Sequence, residues 1–280
     1  MKPVHSAIIR ADLGPLGPFT TIWRHRTLIG RLTRRELAGR YRGSLLGLVW
    51  AVLTPLLMLA VYTFVFSTVF QSRWTGSVEQ QPGEYALFLF AGLTLFNILA
   101  ESLNRSPGLM LENVSYIKKV VFPLEVMPVV ILAGALVNAG ISMLVLVAFY
   151  IPYRGLPPES ALLAPLVLLP FCLLALGLCW FLAAAGVFLR DIRQFIGVLV
   201  TLLLFLSPVF YPAGGVPEKL DILLAVNPLT PLLEQWRACL FEGKGLDPWG
   251  FLQAAGLGWL AAWLGHLFFA KARDGFADVV

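Results

Sequence analysis

Charge is what this sequence has least of. Only 13% of its 280 residues are Asp, Glu, Lys or Arg, against about 25% in ordinary globular chains. Residues 43–72 form a run of 30 positions with no Asp, Glu, Lys, Arg or His. About 20 apolar residues of helix suffice to cross a ~30 Å hydrocarbon core, so this run excludes an ordinary soluble domain. Metal-binding patterns are missing as well. The three cysteines, Cys172, Cys179 and Cys239, form no CxxC pair or Cys/His cluster and read as small apolar packing residues. A phosphate-cradling loop is absent: Gly243-Lys244-Gly245 lacks the upstream glycine and the Ser/Thr that such a loop needs. No Ser-His-Asp set or intramembrane carboxylate pair can be assembled, which argues against a membrane enzyme. Ionisable groups inside a membrane cost at least a few kcal/mol, and the apolar runs here are almost empty of them. That excludes a proton relay and argues against an ion-driven carrier. His266 is the clear exception, and it reads as a packed or interfacial histidine.

What is present is organised around the membrane. Apolar segments predict six transmembrane helices at about 45–70, 85–103, 126–150, 162–188, 195–211 and 250–270. The chain is expected to be an all-α polytopic membrane protein, one transmembrane domain over 1–280. No cleavable signal precedes the first run, so the first span is expected to serve as the insertion signal. Nine Lys or Arg lie in the first 42 positions. The segments facing the same side as the N-terminus hold sixteen basic residues and the other side five. This bias predicts that both termini are cytoplasmic. With the basic residues flanking spans, the pI of 9.3 does not point to nucleic acid. Between the fifth and sixth spans, residues 222–233 are uncharged over 12 positions, or about 18 Å of helix, too short to cross. A re-entrant or interfacial hairpin within 212–248, broken at Asn227-Pro228, is expected there.

Two cytoplasmic segments stand out. Over 22–42, Arg24, Arg31, Arg34, Arg35 and Arg42 share one helical face, while Ile22, Leu28, Ile29, Leu32 and Leu37 share the other. An amphipathic helix over 20–42 is therefore expected in the inner interface, attracted to membrane lipids. The basic loop 104–123 is bracketed by Pro107 and Pro123 and has room for a few helical turns. On the first span, Tyr62, Phe66 and Phe70 fall at i, i+4 and i+8.

Several stretches, in order, resemble a known family. Arg35-Glu36, Arg40-Tyr41-Arg42, Ser44-Leu45-Leu46-Gly47, Trp50 and Pro55 are similar to the motif at the first span of type-2 ATP-binding-cassette export permeases. Lys118-Lys119-Val120-Val121-Phe122-Pro123 resembles that family's cytoplasmic loop, and Arg190-Asp191-Ile192 its motif after span four. Ser207-Pro208-Val209-Phe210-Tyr211 and Asn227-Pro228-Leu229-Thr230-Pro231 resemble its external segment. Within the family, the likeness is to permeases exporting lipid-linked polysaccharides such as O-antigen and teichoic acid. The resemblance implies a homodimer with two separate ABC ATPase subunits, which would hold the ATP and Mg2+. Arg31, Arg34, Arg35, Glu36, Lys118, Lys119, Arg190 and Asp191 would couple to those subunits. Tyr62, Phe66 and Phe70 would line the conduit, and Phe210, Tyr211, Asn227 and Pro228 would form an external gate. O-antigen-like cargo is the first expectation; teichoic acid, or a drug or small lipid, is the alternative.

Overall fold

Each long charge-free run folds as a helix because a backbone surrounded by hydrocarbon must satisfy its own N–H and C=O groups. The computed structural model describes residues 13–40, 46–47, 49–70, 74, 84–118, 122–215, 217 and 221–279, and no strand occurs among them. The order is α1 (Gly17–Arg24), α2 (Arg26–Arg40), α3 (Val49–Tyr62, continued by a π-helix at Thr63–Val69) and α4 (Glu84–Arg105). Two short helices follow, α5 (Leu109–Glu112) and α6 (Val114–Ile117), then α7 (Val126–Arg154), α8 (Ala164–Phe188) and α9 (Ile192–Leu206). The chain ends with α10 (Asp221–Val226), α11 (Leu229–Phe241), α12 (Pro248–Ala272) and α13 (Phe276–Val279). Tyr41, Arg42, Ser44, Leu45, Lys119 and residues 218–220 of the expected external hairpin lie outside the described residues.

Five helical stretches are long and apolar enough to cross a membrane: Val49–Val69, Glu84–Glu112, Val126–Arg154, Glu159–Phe188 and Pro248–Val279. The chain is a multi-pass membrane protein. The expected fifth span, 195–211, falls on α9, which has only 15 residues, about 22 Å against a ~30 Å core. It stops because Pro208 disfavours helical backbone at the residue before it, and Ser207 is extended with ψ 149°. The described residues therefore show five long spans and one short apolar helix.

The N-terminal region also differs from expectation. Instead of one helix over 20–42, the chain turns at His25 between α1 and α2. The two halves have different partners. α1 lies along α12: Trp263 Nε1 donates to the Leu13 carbonyl at 3.2 Å and Trp259 Nε1 to the Pro15 carbonyl at 3.1 Å. Thr21 Oγ1 and His266 Nε2 are 3.2 Å apart, and His266 is a buried, packed histidine. α2 packs on α7. Ile29 is buried and Leu28, Leu32 and Leu37 half-buried, while Arg31, Arg34 and Arg35 are exposed, so the expected apolar face turns toward protein.

Burial is uneven among the spans. α4 is central, with 17 of its 22 residues buried, and it touches α3, α7, α8, α9 and α11. α3 is peripheral: only Pro55 and Leu59 are buried over Val49–Tyr62, and nothing in Thr63–Val69. α8 and α12 approach most closely, through glycine. A Cβ on Gly265 would stand 2.0 Å from the Gly177 carbonyl oxygen, and one on Gly258 would stand 2.5 Å from that of Pro170. Small residues let membrane helices gain dispersion contact where no hydrophobic force drives association. Replacing Gly265 by Leu should therefore destabilise the protein by at least about 1–3 kcal/mol and lower its melting temperature in detergent. Gly256→Leu, where no heavy atom lies within 4 Å of the added Cβ, should melt as the parent does.

Candidate functional site: a polar groove within the membrane bundle

On a helix as buried as α4, any opening is informative. Its only exposed residues are Asn97 and Asn104, and half-buried Glu101 stands between them, so all three share one face at i, i+4 and i+7. They open onto a groove of about 510 Å3 between α3, α4 and α7. α3 contributes Trp50, Thr54, Met58 and Tyr62 to its wall, one residue per turn over roughly 18 Å. α4 adds Thr94, and α7 adds Asn138 and Ser142. The wall thus combines amides, hydroxyls and the aromatic rings of Trp50, Tyr62 and Phe90.

A charge network closes one end of the groove. Arg105 Nη1 lies 2.5 Å from Glu36 Oε1 and 3.5 Å from Glu101 Oε1. Arg40 pairs with Glu36 at 2.8 Å and also with Glu101, and Asn138 Nδ2 donates to Glu101 Oε2 at 3.1 Å. Two guanidinium groups and two carboxylates cancel, so the groove acquires no net charge from its floor. The network ties α2 to α4 and α7. Glu36, expected to couple to an ATPase, sits here, half-buried.

At the opposite end, the expected aromatic stripe divides. The i, i+4, i+8 alignment assumes an α-helix, but Thr63–Val69 is π-helical, with Phe70 N bonded to the Val65 carbonyl at 2.9 Å. A π-turn takes in an extra residue, and the side chains fall out of line. Tyr62 faces the groove. Phe66 instead packs against Phe70, Tyr85 and Phe210, with centroids 5.9, 5.4 and 6.4 Å away. Phe205 stacks on Phe210 at 5.5 Å, and the Tyr85 hydroxyl donates to the Phe210 carbonyl.

Beside this cluster, Asn227 pins the break between α10 and α11. Its Nδ2 donates to Ser207 Oγ at 2.9 Å and to the Leu206 carbonyl at 3.2 Å, and its Oδ1 accepts from Leu229 N at 2.9 Å. Exposed Pro228 starts α11, and the Tyr211 hydroxyl donates to the Phe205 carbonyl at 2.9 Å. Of the four expected gate residues, Phe210, Tyr211 and Asn227 therefore all hold the end of α9. The residue that sequence reasoning missed is Arg237. It is 3% exposed, donates to the carbonyls of Phe88 (3.2 Å), Pro208 (2.5 Å) and Val209 (2.6 Å), and lies 4.4 Å from the Trp74 ring centroid. Burial lowers its pKa to about 10, so it stays charged at neutral pH. Burial also raises the carboxyl pKa of nearby Glu234, against the opposing pull of Arg237.

Two of the expected coupling segments meet through the 104–123 loop. Arg35 Nη1 donates to Tyr116 Oη in α6 at 2.9 Å, and Arg193 Nη2 to Glu112 Oε1 in α5 at 2.9 Å. The 104–123 loop thus touches both α2 and the start of α9. Arg31, Arg34, Lys118, Arg190 and Asp191 are exposed around it. The polar spacing at 97, 101 and 104 was a signal in the sequence for the groove. Nothing local marked Asn138, whose partner is 37 residues away, or Arg237, whose partners are 28, 29 and 149 residues away.

A family model described as ABC-2 type transporter matches residues 27–241. The O-antigen export system permease protein RfbA of Myxococcus xanthus is 28% identical over 261 residues, covering 92% of this chain and 97% of that protein. A protein of the same name from Klebsiella pneumoniae is 28% identical over 217 residues, covering 76% and 79%. The polysialic acid transport protein KpsM of Escherichia coli is 22% identical over 219 residues, covering 78% and 83%.

Arg237 yields a direct prediction. Lysine keeps the charge but not the planar fork, and it would leave buried carbonyls unpaired at about 1–3 kcal/mol each. Arg237→Lys should lower the melting temperature and speed proteolysis within 206–229. Arg31→Lys, on the exposed face of α2, should alter neither.

Proposed function

We propose a function from one premise: the chain belongs to the ABC-2 type transporter family. It is the membrane transport subunit, not the catalytic one, and ATP hydrolysis belongs to a separate ATPase subunit. On that footing we infer that the chain is the permease of an ATP-driven exporter, and that its cargo is a lipid-linked, O-antigen-like polysaccharide crossing the bacterial inner membrane. The carrying observation is the match along 97% of an O-antigen export permease. The groove agrees with it. Sugars present hydroxyls and apolar C–H faces, and amides, hydroxyls and the Trp50 and Tyr62 rings meet both, with the Glu101 carboxylate neutralised by its arginine partners and no net charge to arrest a moving polymer.

The same reading accounts for the exposed α3. A span with two buried residues leaves most of its surface to a partner, and a second copy of the chain would turn two grooves into the walls of one conduit. α9 would complete the sixth span with the turn after it. α10 exposes Ile222, Leu223 and Val226, an apolar face suited to the outer leaflet, so α10 and α11 would form a re-entrant gate holding Phe210, Tyr211, Asn227 and Pro228. Both termini would be cytoplasmic. Two ATPase subunits, binding ATP and Mg2+, would dock on Arg31, Arg35, Lys118, Lys119, Arg190 and Asp191. Their motion would pass through the Arg35–Tyr116 and Arg193–Glu112 contacts to the network around Glu36 and Glu101, which would open the inner end.

Deleting the gene should remove surface glycan and leave lipid-linked polymer inside the cell. Complementation with Asn97→Leu/Asn104→Leu, expressed at the parental level, should restore export at least roughly tenfold less well, the effect of about 1.4 kcal/mol of lost contact. Normal surface glycan in the deletion strain would overturn the cargo assignment.

A further inference from the structure

A second groove, of about 600 Å3, lies between α2 and α7, inside the ~300–1,000 Å3 range of ligand pockets. One wall is Ile29 and Leu37 of α2, and the other is Ala133 and Val137 of α7. Gly30 keeps it open, since no heavy atom lies within 4 Å of where its Cβ would stand. Arg26 and Arg34 also line the groove, and among the described residues no acidic one does. Arg26 is held by Trp23, donating to its carbonyl at 3.0 Å and lying 4.7 Å from its ring centroid. Arg34 makes no hydrogen bond or ion pair among the described residues. Thr33, 9% exposed, also lines the groove, and its buried hydroxyl has no hydrogen-bond partner among the described residues.

Hydrocarbon walls, two guanidinium groups and an unsatisfied hydroxyl ask for one kind of molecule, with an anionic head, ester oxygens and an apolar tail. A protein segment would have to bring an acidic group and a long apolar side chain together in one place. We propose that this groove holds one anionic phospholipid of the surrounding leaflet. Its phosphate accepts from Arg34 and Arg26, the Thr33 hydroxyl donates to an ester carbonyl, and an acyl chain fills the space between α2 and α7. The lipid then completes the packing of a helix whose apolar face the protein covers only in part. This goes beyond general attraction of a basic helix to a charged surface, because it names a single site with two walls.

The test uses the purified full chain in detergent, titrated with phosphatidylglycerol or phosphatidylcholine and followed by melting temperature. Phosphatidylglycerol should raise the melting point to saturation, and phosphatidylcholine should not. Arg34→Gln should weaken the phosphatidylglycerol effect roughly tenfold or more, the loss of one charge-assisted hydrogen bond. Arg31→Gln removes the same charge outside the groove and should titrate as the parent. Val137→Phe, which fills the groove without altering charge, should also weaken it, its lipid-free melting point serving as the folding control. Equal responses to the two lipids would overturn the proposal. So would equal losses in Arg34→Gln and Arg31→Gln, the mark of diffuse surface charge. Protection of a cysteine at position 137 by the ATPase or a second copy, and not by lipid, would assign the groove to protein and overturn it as well.

Discussion

Both ends of α4 carry charge, and at both ends the charge is paired. At one end Glu84 meets Arg154 at 2.5 Å, and Arg154 also donates to the Phe241 carbonyl. At the other, Glu101 and Arg105 meet Arg40 and Glu36. An unpaired charge in low dielectric is costly, so these contacts fix how far α4 can slide and turn against α7 and α2. With both ends fixed, the apolar body of the helix is buried against five neighbours, and the one face left open carries Asn97 and Asn104. The groove therefore depends on the ion pairs: loosen either end, and the asparagine face need no longer point between α3 and α7.

The arrangement separates two tasks. Near Arg237, the backbone at the end of α9 is gripped by side chains from α11 and by Asn227, which ties the aromatic cluster around Phe210 to α11. At the other end, a four-charge network joins three helices, and α2 and the α5–α6 loop share a direct hydrogen bond. A displacement of α2 would shift Glu36 and Arg40 and disturb the pairing of Glu101 and Arg105 without breaking any apolar packing of α4. Redistributing ion pairs among fixed partners would be an inexpensive way to alternate between two states, as the proposed coupling to an ATPase requires.

Much of this architecture was legible in the sequence because long charge-free runs have one physical outcome in a membrane. The runs at 126–150 and 162–188 became α7 and α8, and Asn227-Pro228 marked a real break because Pro restricts the residue before it. Other features were hidden for identifiable reasons. The turn at His25 reflects two separate packing partners, α12 and α7, which periodicity cannot name. The π-helix after Tyr62 displaced an aromatic stripe drawn at 100° per residue. Hydropathy treats Asn97 and Asn104 as small interruptions of an apolar run, although on a buried helix they are its only exposed positions. Arg237, one of the five basic residues counted on the side opposite the N-terminus, proved to be the buried donor that holds the end of α9.

The central claim is that the asparagine face of α4 borders the path of the polymer. A photo-crosslinking amino acid placed at position 97 in the exporter, arrested with a non-hydrolysable nucleotide during synthesis of its cargo, tests it directly. The account predicts a glycan-bearing adduct from position 97 and none from position 144, where Leu144 lies exposed on α7. Adducts from neither position, or equally from both, in a strain with normal surface glycan would contradict it.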